Sequence, residues 1–286
     1  TANNIPQYVP FYFYATGSTI NLQFGVGTAN NGDYTYYDNI SIREVEEDRS
    51  VNGKGLQVFG TVTKSAVATG ADLVAYSGFS SSNYLVQPYN SDLDFGTGDF
   101  SIMGWVSTTS TSPQTLLHRG DGNASGWGTS PIIQIELSGT FKMGIYTGGF
   151  AGATAVADMP ASELATGSMR HVVITQSGGY LKLYVDNVLK NSTSSTGTVT
   201  NTSANTWIGS RPYSARPWLG SLALWRISAT APTPEQIAKI YNDEKHLFQE
   251  NAKATLYGSS DAVTALAYDD DTELLHAGTS AGRSVF

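Results

Sequence analysis

One turn-and-strand segment near the middle of the chain constrains the fold most. Residues 92–98 read DLDFGTG, and residues 99–106 then alternate through a strand that ends close to Trp105. Two more strand-like segments follow at the spacing of one domain, at residues 171–188 and 218–227. Alternation with a period of two is the signature of a half-buried β-strand. The segments therefore predict an antiparallel, all-β domain.

Short strands and glycine-containing turns continue along most of the chain. Gly178 and Gly179 form a tight-hairpin signal, because both positions tolerate a positive φ. Many short strands separated by Gly, Ser and Asn turns favour an antiparallel β-sandwich. The strands predicted from residue 50 onward are 55–59, 72–76, 83–87, 101–107, 115–118, 132–137, 141–145, 170–176, 180–185, 205–208 and 220–227.

One short helix is predicted after the last of these strands. Thr233 can cap it, Pro234 occupies its first position, and Gln236 completes a capping box. Four apolar residues then recur on one face, as an amphipathic helix requires. They are Ile237, Ile240, Tyr241 and Phe248.

The strand pattern divides the chain into four parts. Residues 1–48 hold partial jelly-roll-like strands, and 49–69 form a linker with lead-in strands. Residues 70–250 form the sandwich, and 251–286 form a C-terminal β-hairpin extension with its turn at 269–272. Both end segments look like incomplete domains, which would leave strand edges unpaired. We expect a neighbouring copy of the chain, or another chain, to cover them.

The composition argues against several classes of partner and several kinds of chemistry. The net charge is -8 and no basic stripe is visible, which argues against nucleic acid as a partner. No apolar run reaches the ~18 residues of a membrane span, so no membrane insertion is expected. The chain has no cysteine, which excludes disulfides, thiolate metal sites and cysteine nucleophiles.

Motifs for catalysis are missing from the sequence. A glycosidase of a β-sandwich type would carry carboxylates spaced to flank a sugar bond, and the cluster at 44–47 lacks that spacing. There is no G-x-S-x-G nucleophile elbow, and the four histidines do not pair at metal-ligand spacing. The sequence therefore predicts a protein that is not an enzyme.

Two loops combine aromatic rings with polar side chains. Sugars present apolar C–H faces that stack on aromatic rings, and hydroxyls that need polar partners. Loop 120–128 and the proline-bounded loop 211–218 offer both kinds of group, and we expect them to bind carbohydrate at one end of the sandwich. The alternative is that their tryptophans only close the sandwich or cover a loop. The predicted carbohydrate-binding residues are Asp121, Asn123, Trp127, Arg211, Tyr213, Arg216 and Trp218.

The segments at 92–106, 171–188 and 218–227 together resemble the laminin-G-like branch of the concanavalin A-like lectin/glucanase superfamily. That resemblance covers about residues 70–250 and implies a jelly-roll sandwich. Members of this branch bind ligands more often than they catalyse reactions. The stretch 80–100 resembles laminin-G-like domains of bacteriophage tail and virion proteins. This second resemblance implies an appendage of the virion with a recognition or decoration role.

The same resemblance implies calcium as a cofactor to consider. Many members of the superfamily bind this hard cation through oxygen ligands. Asp92, Asp94 and Asp99 are the predicted metal ligands, although residues 220–224 lack the acidic residue common near that position in the family. The alternative is that Asp92 and Asp94 only form Asx turns.

These features together predict a non-enzymatic recognition or structural domain of a phage tail or fibre that binds host cell-surface glycan. Its partners would be glycan and other virion subunits or copies of itself, and its location extracellular or on the virion surface. Two alternatives stay open: a purely structural virion assembly or decoration protein, and a secreted bacterial carbohydrate-binding module.

Overall fold

A computed structural model describes the larger part of the chain. The chain divides into two units, Thr1–Ile42 and Arg43–Phe286, and every described residue belongs to the second. Most of the jelly-roll-like strands predicted over 1–48 therefore lie outside the described residues. The described residues are 45–46, 53–120, 132–146, 153–200, 203–211, 216–250, 252, 263–272, 274–279 and 282–285.

Eighteen strands and one α-helix are found in the described residues. The helix α1 spans Pro234–Glu244. The strands are β1 Val45–Glu46, β2 Leu56–Phe59, β3 Thr63–Ala66, β4 Val74–Ser77, β5 Tyr84–Gln87, β6 Phe100–Thr108, β7 Gln114–Gly120, β8 Ile132–Ser138, β9 Thr140–Tyr146, β10 Ala153–Pro160, β11 Arg170–Ser177, β12 Tyr180–Val185, β13 Val188–Ser194, β14 Asn205–Ile208, β15 Gly220–Ser228, β16 Val263–Asp269, β17 Leu274–Thr279 and β18 Gly282–Val285.

The first fifteen strands form two antiparallel sheets that pack face to face. The eight-stranded sheet has the order β1-β2-β5-β14-β7-β8-β9-β10, and the seven-stranded sheet has the order β13-β12-β11-β6-β15-β4-β3. The predicted antiparallel β-sandwich is therefore confirmed. β2 and β3 lie within the predicted lead-in 49–69, yet each belongs to one of the two sheets.

The core lies between these two sheets and follows from alternation along the strands. Phe100 and Ile102 of β6 point inward, as do Leu117 of β7, Phe141 of β9 and Ile174 of β11. All five side chains are almost fully buried, which removes large apolar surfaces from water. This burial is the main force that holds the sheets together.

The outer face of the seven-stranded sheet carries helix α1. Met103, Val173 and Tyr184 have the opposite orientation to the core residues and pack against Ile237 and Ile240 of the helix. Trp105 extends this layer through ring contacts with Tyr241 and Phe248, at centroid distances of 5.7 and 4.3 Å. The predicted capping box is present, with Thr233 accepting from the Gln236 backbone and the Gln236 side chain accepting from the Thr233 backbone.

Four strands are present that the sequence did not indicate: β3, β10, β13 and β18, the last of which adds a third strand to the predicted C-terminal hairpin. β3 and β13 are edge strands made mostly of polar residues, so neither shows alternating apolar side chains. β10 contains small residues and ends on a proline, which are weak strand signals.

A separate three-stranded sheet, β16-β17-β18, follows the sandwich in the chain. The turn between β16 and β17 includes Asp269, whose carboxylate accepts a hydrogen bond from the Asp271 backbone at 3.0 Å, as an Asx turn requires. α1 is the single α-helix of the described residues, and its 11 residues fall well short of the roughly 20 that a membrane span requires.

Candidate functional site

Of the two loops predicted to bind carbohydrate, loop 120–128 follows β7 and loop 211–218 follows β14. The two loops depart from opposite ends of the eight-stranded sheet. Loop 120–128 begins at Gly120, which pairs with Asn205 at the start of β14. Loop 211–218 follows the other end of β14, where Ile208 pairs with Leu117. The backbone carbonyl of Arg216 accepts from Thr115 near the start of β7, at 2.7 Å. We expected both loops at one end of the sandwich, but the strand register shows that they leave from opposite ends.

The described part of loop 211–218 is built into the sandwich. The indole ring of Trp218 is only 1% exposed and meets Phe141 edge-on at a centroid distance of 6.5 Å. Arg211 is also buried. Of the two interpretations of Trp218, burial supports the one in which it closes the sandwich, because a buried ring has no open face for a sugar. Tyr213 lies outside the described residues.

The three predicted calcium ligands are held apart by other partners. Asp94 pairs with Arg119 at 2.5 Å, and Asp92 pairs with Lys54 at 2.9 Å. Asp99 accepts a hydrogen bond from the Ser177 hydroxyl at 2.9 Å. No group of three or more potential metal-binding side chains occurs among the described residues, which include all three aspartates. The three carboxylates are therefore engaged separately by cationic and hydroxyl groups and are not gathered into one group, and calcium binding by them stays a prediction.

The end of the sandwich from which loop 120–128 departs carries a connected polar cluster around an exposed tyrosine. We call it the Tyr89 rim, and its members are Lys54, Tyr89, Asn90, Asp92, Asp94, Arg119 and Asn205. Tyr89 follows β5 and is 40% exposed. Its backbone nitrogen donates to the Asn205 side chain at 2.9 Å, which anchors the backbone of Tyr89 beside the strand end at Gly120.

The phenol group of Tyr89 is oriented by a buried ion pair. Its hydroxyl donates to Asp94 at 3.0 Å, and this hydrogen bond to a carboxylate raises the pKa of Tyr89. Arg119, which is only 3% exposed, holds the other carboxylate oxygen of Asp94 and also donates to the backbone carbonyls of Leu93 and Ala204. Burial lowers the pKa of the Arg119 guanidinium, and the Asp94 charge opposes that shift.

A second, solvent-exposed part of the rim lies beside this pair. The Lys54 ammonium donates to Asn90 at 2.7 Å and to Asp92 at 2.9 Å. Asn90 also caps the short 3-10 turn Ser91–Leu93, because its side chain accepts from the Asp92 backbone. The rim thus offers an open aromatic ring next to ammonium, amide and carboxylate groups.

Sequence reasoning did not single out Tyr89, although it placed binding residues in the neighbouring loop. The available signal was an aromatic residue directly after a strand, between Pro88 and Asn90. Asp121, Asn123 and Trp127 belong to the loop that starts at Gly120, and they lie outside the described residues.

A polar row crosses the outer face of the eight-stranded sheet but is closed to solvent. Trp207, His118 and Gln134 are register partners on β14, β7 and β8. Gln134 contacts His118 at 3.1 Å and donates to Glu136, which also pairs with Lys142 at 3.5 Å. Trp207, His118, Gln134 and Glu136 are all nearly or fully buried, so the row connects strands rather than facing a ligand.

The laminin G family model of the concanavalin A-like lectin/glucanases superfamily matches residues 79–238, more than half of the chain. The chain belongs to this superfamily. The matched range starts ahead of β5 and ends within α1, so it contains most of both sheets. No curated protein sequence matches the chain.

Two solved binding domains have a similar fold. The binding domain of Paraclostridial Mosquitocidal Protein 1 has a TM-score of 0.52 at 15% identity, over 82% of this chain and 61% of that one. The receptor-binding domain of botulinum neurotoxin C/D mosaic serotype has a TM-score of 0.53 at 13% identity, over 82% of this chain and 60% of that one. This chain thus spans about three fifths of each. At such identities the likeness establishes the fold.

A shorter structure is also similar. Domain 4 of AbnA, an extracellular arabinanase from Geobacillus stearothermophilus solved with arabinotriose, has a TM-score of 0.49 at 18% identity. The alignment covers 65% of this chain and 88% of that domain.

Proposed function

We propose that this protein is a non-enzymatic glycan-recognition domain that binds sugar at the Tyr89 rim. The observation that carries the proposal is the exposed side chain of Tyr89, whose backbone is anchored by Asn205 and whose hydroxyl is held by Asp94. A ring held in place by such bonds loses little conformational freedom when a ligand stacks on it. Membership in a lectin-containing superfamily and the binding domains among its structural neighbours support the same function.

The groups around Tyr89 match the chemistry of a sugar. Pyranose rings stack their C–H faces on aromatic side chains, and their hydroxyls both donate and accept hydrogen bonds. Lys54 supplies a donor, Asp92 supplies acceptors, and Asn90 supplies both kinds of group. Loop 120–128 adds Asp121, Asn123 and Trp127 from the strand end beside Asn205, and we propose that they extend the same site.

The biological setting is the finer part of the proposal. The sequence resemblance at residues 80–100 favours a bacteriophage tail or fibre, in which the domain attaches to host cell-surface glycan outside the cell and contacts other virion subunits. A purely structural virion protein and a secreted bacterial carbohydrate-binding module are the alternatives. A purely structural virion protein would bind no glycan, and a glycan-binding assay therefore distinguishes it from the proposal. A secreted bacterial module would bind glycan but would not mediate adsorption to a host cell.

The proposal is tested by glycan-array screening, followed by calorimetry on the best-bound glycan. Tyr89→Ala removes the ring, and we expect about threefold to tenfold weaker binding, the size of a single aromatic contact. Tyr89→Phe keeps the ring and loses only the hydroxyl bond to Asp94, so it should retain most of the affinity.

Tyr180→Ala is the matched control, since Tyr180 is also exposed but lies on β12 of the other sheet. It should bind like the parent protein. Equal losses for Tyr89→Ala and Tyr180→Ala, or no bound glycan on the array, would contradict the proposal.

A further inference from the structure

Every cation among the described members of the Tyr89 rim has a carboxylate as its partner. The Lys54 ammonium lies 2.9 Å from Asp92, and the Arg119 guanidinium lies 2.5 Å from Asp94. The rim therefore carries positive and negative charges in equal number. An acidic group on a ligand would have to compete with a carboxylate that is already beside the cation.

The two ion pairs differ in whether a ligand can reach them. The side chains of Arg119 and Asp94 are 3% and 12% exposed, and Arg119 also donates to two backbone carbonyls. The side chains of Lys54 and Asp92 are 41% and 45% exposed. The outer pair is therefore the charged part of the rim that meets a ligand, and Asp92 shares that position with Lys54.

The sequence around the outer pair adds negative charge. Loop 120–128, which starts at the strand end beside Asn205, contains Asp121 and neither lysine nor arginine. The whole chain carries a net charge of -8. At physiological ionic strength a charge acts over about 8 Å, so an anion placed on Lys54 would also be repelled by Asp92, which lies within that distance of the ammonium. The attraction of Lys54 is thus offset by its neighbour.

We propose that Asp92 determines the ligand class of the rim: by neutralising Lys54, it makes the rim select uncharged glycans over glycans that carry a carboxylate or sulfate group. An uncharged sugar needs only hydrogen-bond donors and acceptors, which Lys54, Asn90 and Asp92 supply. An anionic sugar meets the repulsive charge of Asp92, and a repulsive element of this kind is a common source of specificity. This inference rests on the proposed glycan recognition at the rim and names the class of glycan.

The first experiment compares pairs of glycans that differ by one acidic group. A terminal glucose or galactose is compared with the uronic acid of the same configuration, in which a carboxylate replaces the CH₂OH group. Calorimetry on the pair that binds best on an array of such glycans gives the ratio of the two affinities. We expect the parent to bind the neutral member about twofold to fivefold more tightly, the size of one exposed charge interaction.

Two variants should move this ratio in opposite directions. Asp92→Asn keeps the size of the side chain and removes its charge, so the uronic acid should gain about twofold to fivefold relative to the neutral sugar. Lys54→Gln removes the cation and leaves Asp92 alone, so the uronic acid should lose by a similar factor. Asn90 caps the turn by accepting from the backbone of Asp92, and Asp92→Asn keeps that bond.

Asp243→Asn is the matched control, because Asp243 also forms an exposed pair with a lysine, Lys239. It changes the net charge by the same amount, but it lies on α1, which packs on the outer face of the other sheet. Its affinity ratio should equal that of the parent. Salt gives a second measurement: the affinity of Asp92→Asn for the uronic acid should fall as sodium chloride is added, whereas the affinity for the neutral sugar should stay constant.

A parent that binds both members of the pair equally, or prefers the uronic acid, would overturn this proposal and leave glycan recognition at the rim intact. An equal shift of the ratio in Asp92→Asn and Asp243→Asn would also overturn it, because overall charge would then suffice. Failure of the proposed function looks different: no member of any pair binds, or Tyr89→Ala leaves the affinity for the neutral sugar unchanged. Either of these results would remove the basis of this proposal as well.

Discussion

His171 at the start of β11 is a buried residue whose protonation should destabilise the sandwich. Its ring is fully buried between Trp105, at a centroid distance of 5.1 Å, and Tyr241, at 6.1 Å. Neither ring nitrogen has a hydrogen-bond partner among the residues that the structure describes. Burial, together with the positive charge of Arg226, lowers the pKa of His171 to about 4, and the negative charge of Asp186 partly opposes the shift.

The pKa difference gives both the sign and the size of the effect. In the unfolded chain a histidine binds a proton below a pKa of about 6.5, whereas His171 in the folded protein stays neutral down to about pH 4. The unfolded state therefore binds more protons in this window, and stability falls as the pH falls through it. At about 1.4 kcal/mol per pKa unit, the full loss is about 3.5 kcal/mol well below pH 4, of which about 2–3 kcal/mol is lost by pH 4.5.

The assay is urea unfolding of the parent, His171→Phe and His171→Gln at pH 7.5 and pH 4.5. Carboxylates also titrate in this range, so the informative quantity is the difference between the parent and each variant. Both variants are uncharged at every pH and should lose about 2–3 kcal/mol less than the parent on acidification. His171→Phe should also be at least as stable as the parent at pH 7.5, since it keeps the ring and removes two unpartnered nitrogens. An identical pH dependence for all three proteins would refute the reasoning.

Three further stability predictions follow from buried or capping groups, each read by urea unfolding at neutral pH. Trp218→Ala should cost about 3–5 kcal/mol, since it empties a core position, and should leave the affinity for glycan unchanged. Asp94→Ala should cost about 3–5 kcal/mol because Arg119 stays buried without its carboxylate, whereas Lys54→Ala at the exposed pair should cost less than about 1 kcal/mol. Thr233→Ala should cost about 1 kcal/mol through the lost helix cap, and a negligible cost would show that packing defines this helix end.

Features governed by neighbouring residues in the chain could be predicted from the sequence. The helix cap at Thr233, the proline at Pro234 and the glycine hairpin at 178–179 each depend on a few adjacent side chains, and all three are present. The same holds for β6, which was predicted over residues 101–107 and spans Phe100–Thr108. Local signals of this kind specify the element and its face because the chemistry that forms it lies within a few residues.

Features that depend on tertiary pairing could not be predicted. Arg119 and Asp94 are separated by 25 positions in sequence, and only the folded sheets bring the guanidinium to the carboxylate. From the sequence alone, Asp92, Asp94 and Asp99 were therefore candidate metal ligands. Likewise, loops 120–128 and 211–218 both combine aromatic with polar residues, and only the antiparallel pairing of β7 with β14 shows that they leave from opposite ends of the sheet. The burial of Trp218 follows from the same pairing.

Mapping the glycan on the protein by NMR tests the central claim most directly. The glycan that binds best on the array is titrated into isotopically labelled protein, and the shifted backbone amides are assigned. We predict that the largest shifts fall at Tyr89, Asn205 and Gly120, and in the loop that follows Gly120. Shifts confined to residues 209–219, or to the outer face of the seven-stranded sheet, would contradict recognition at the Tyr89 rim.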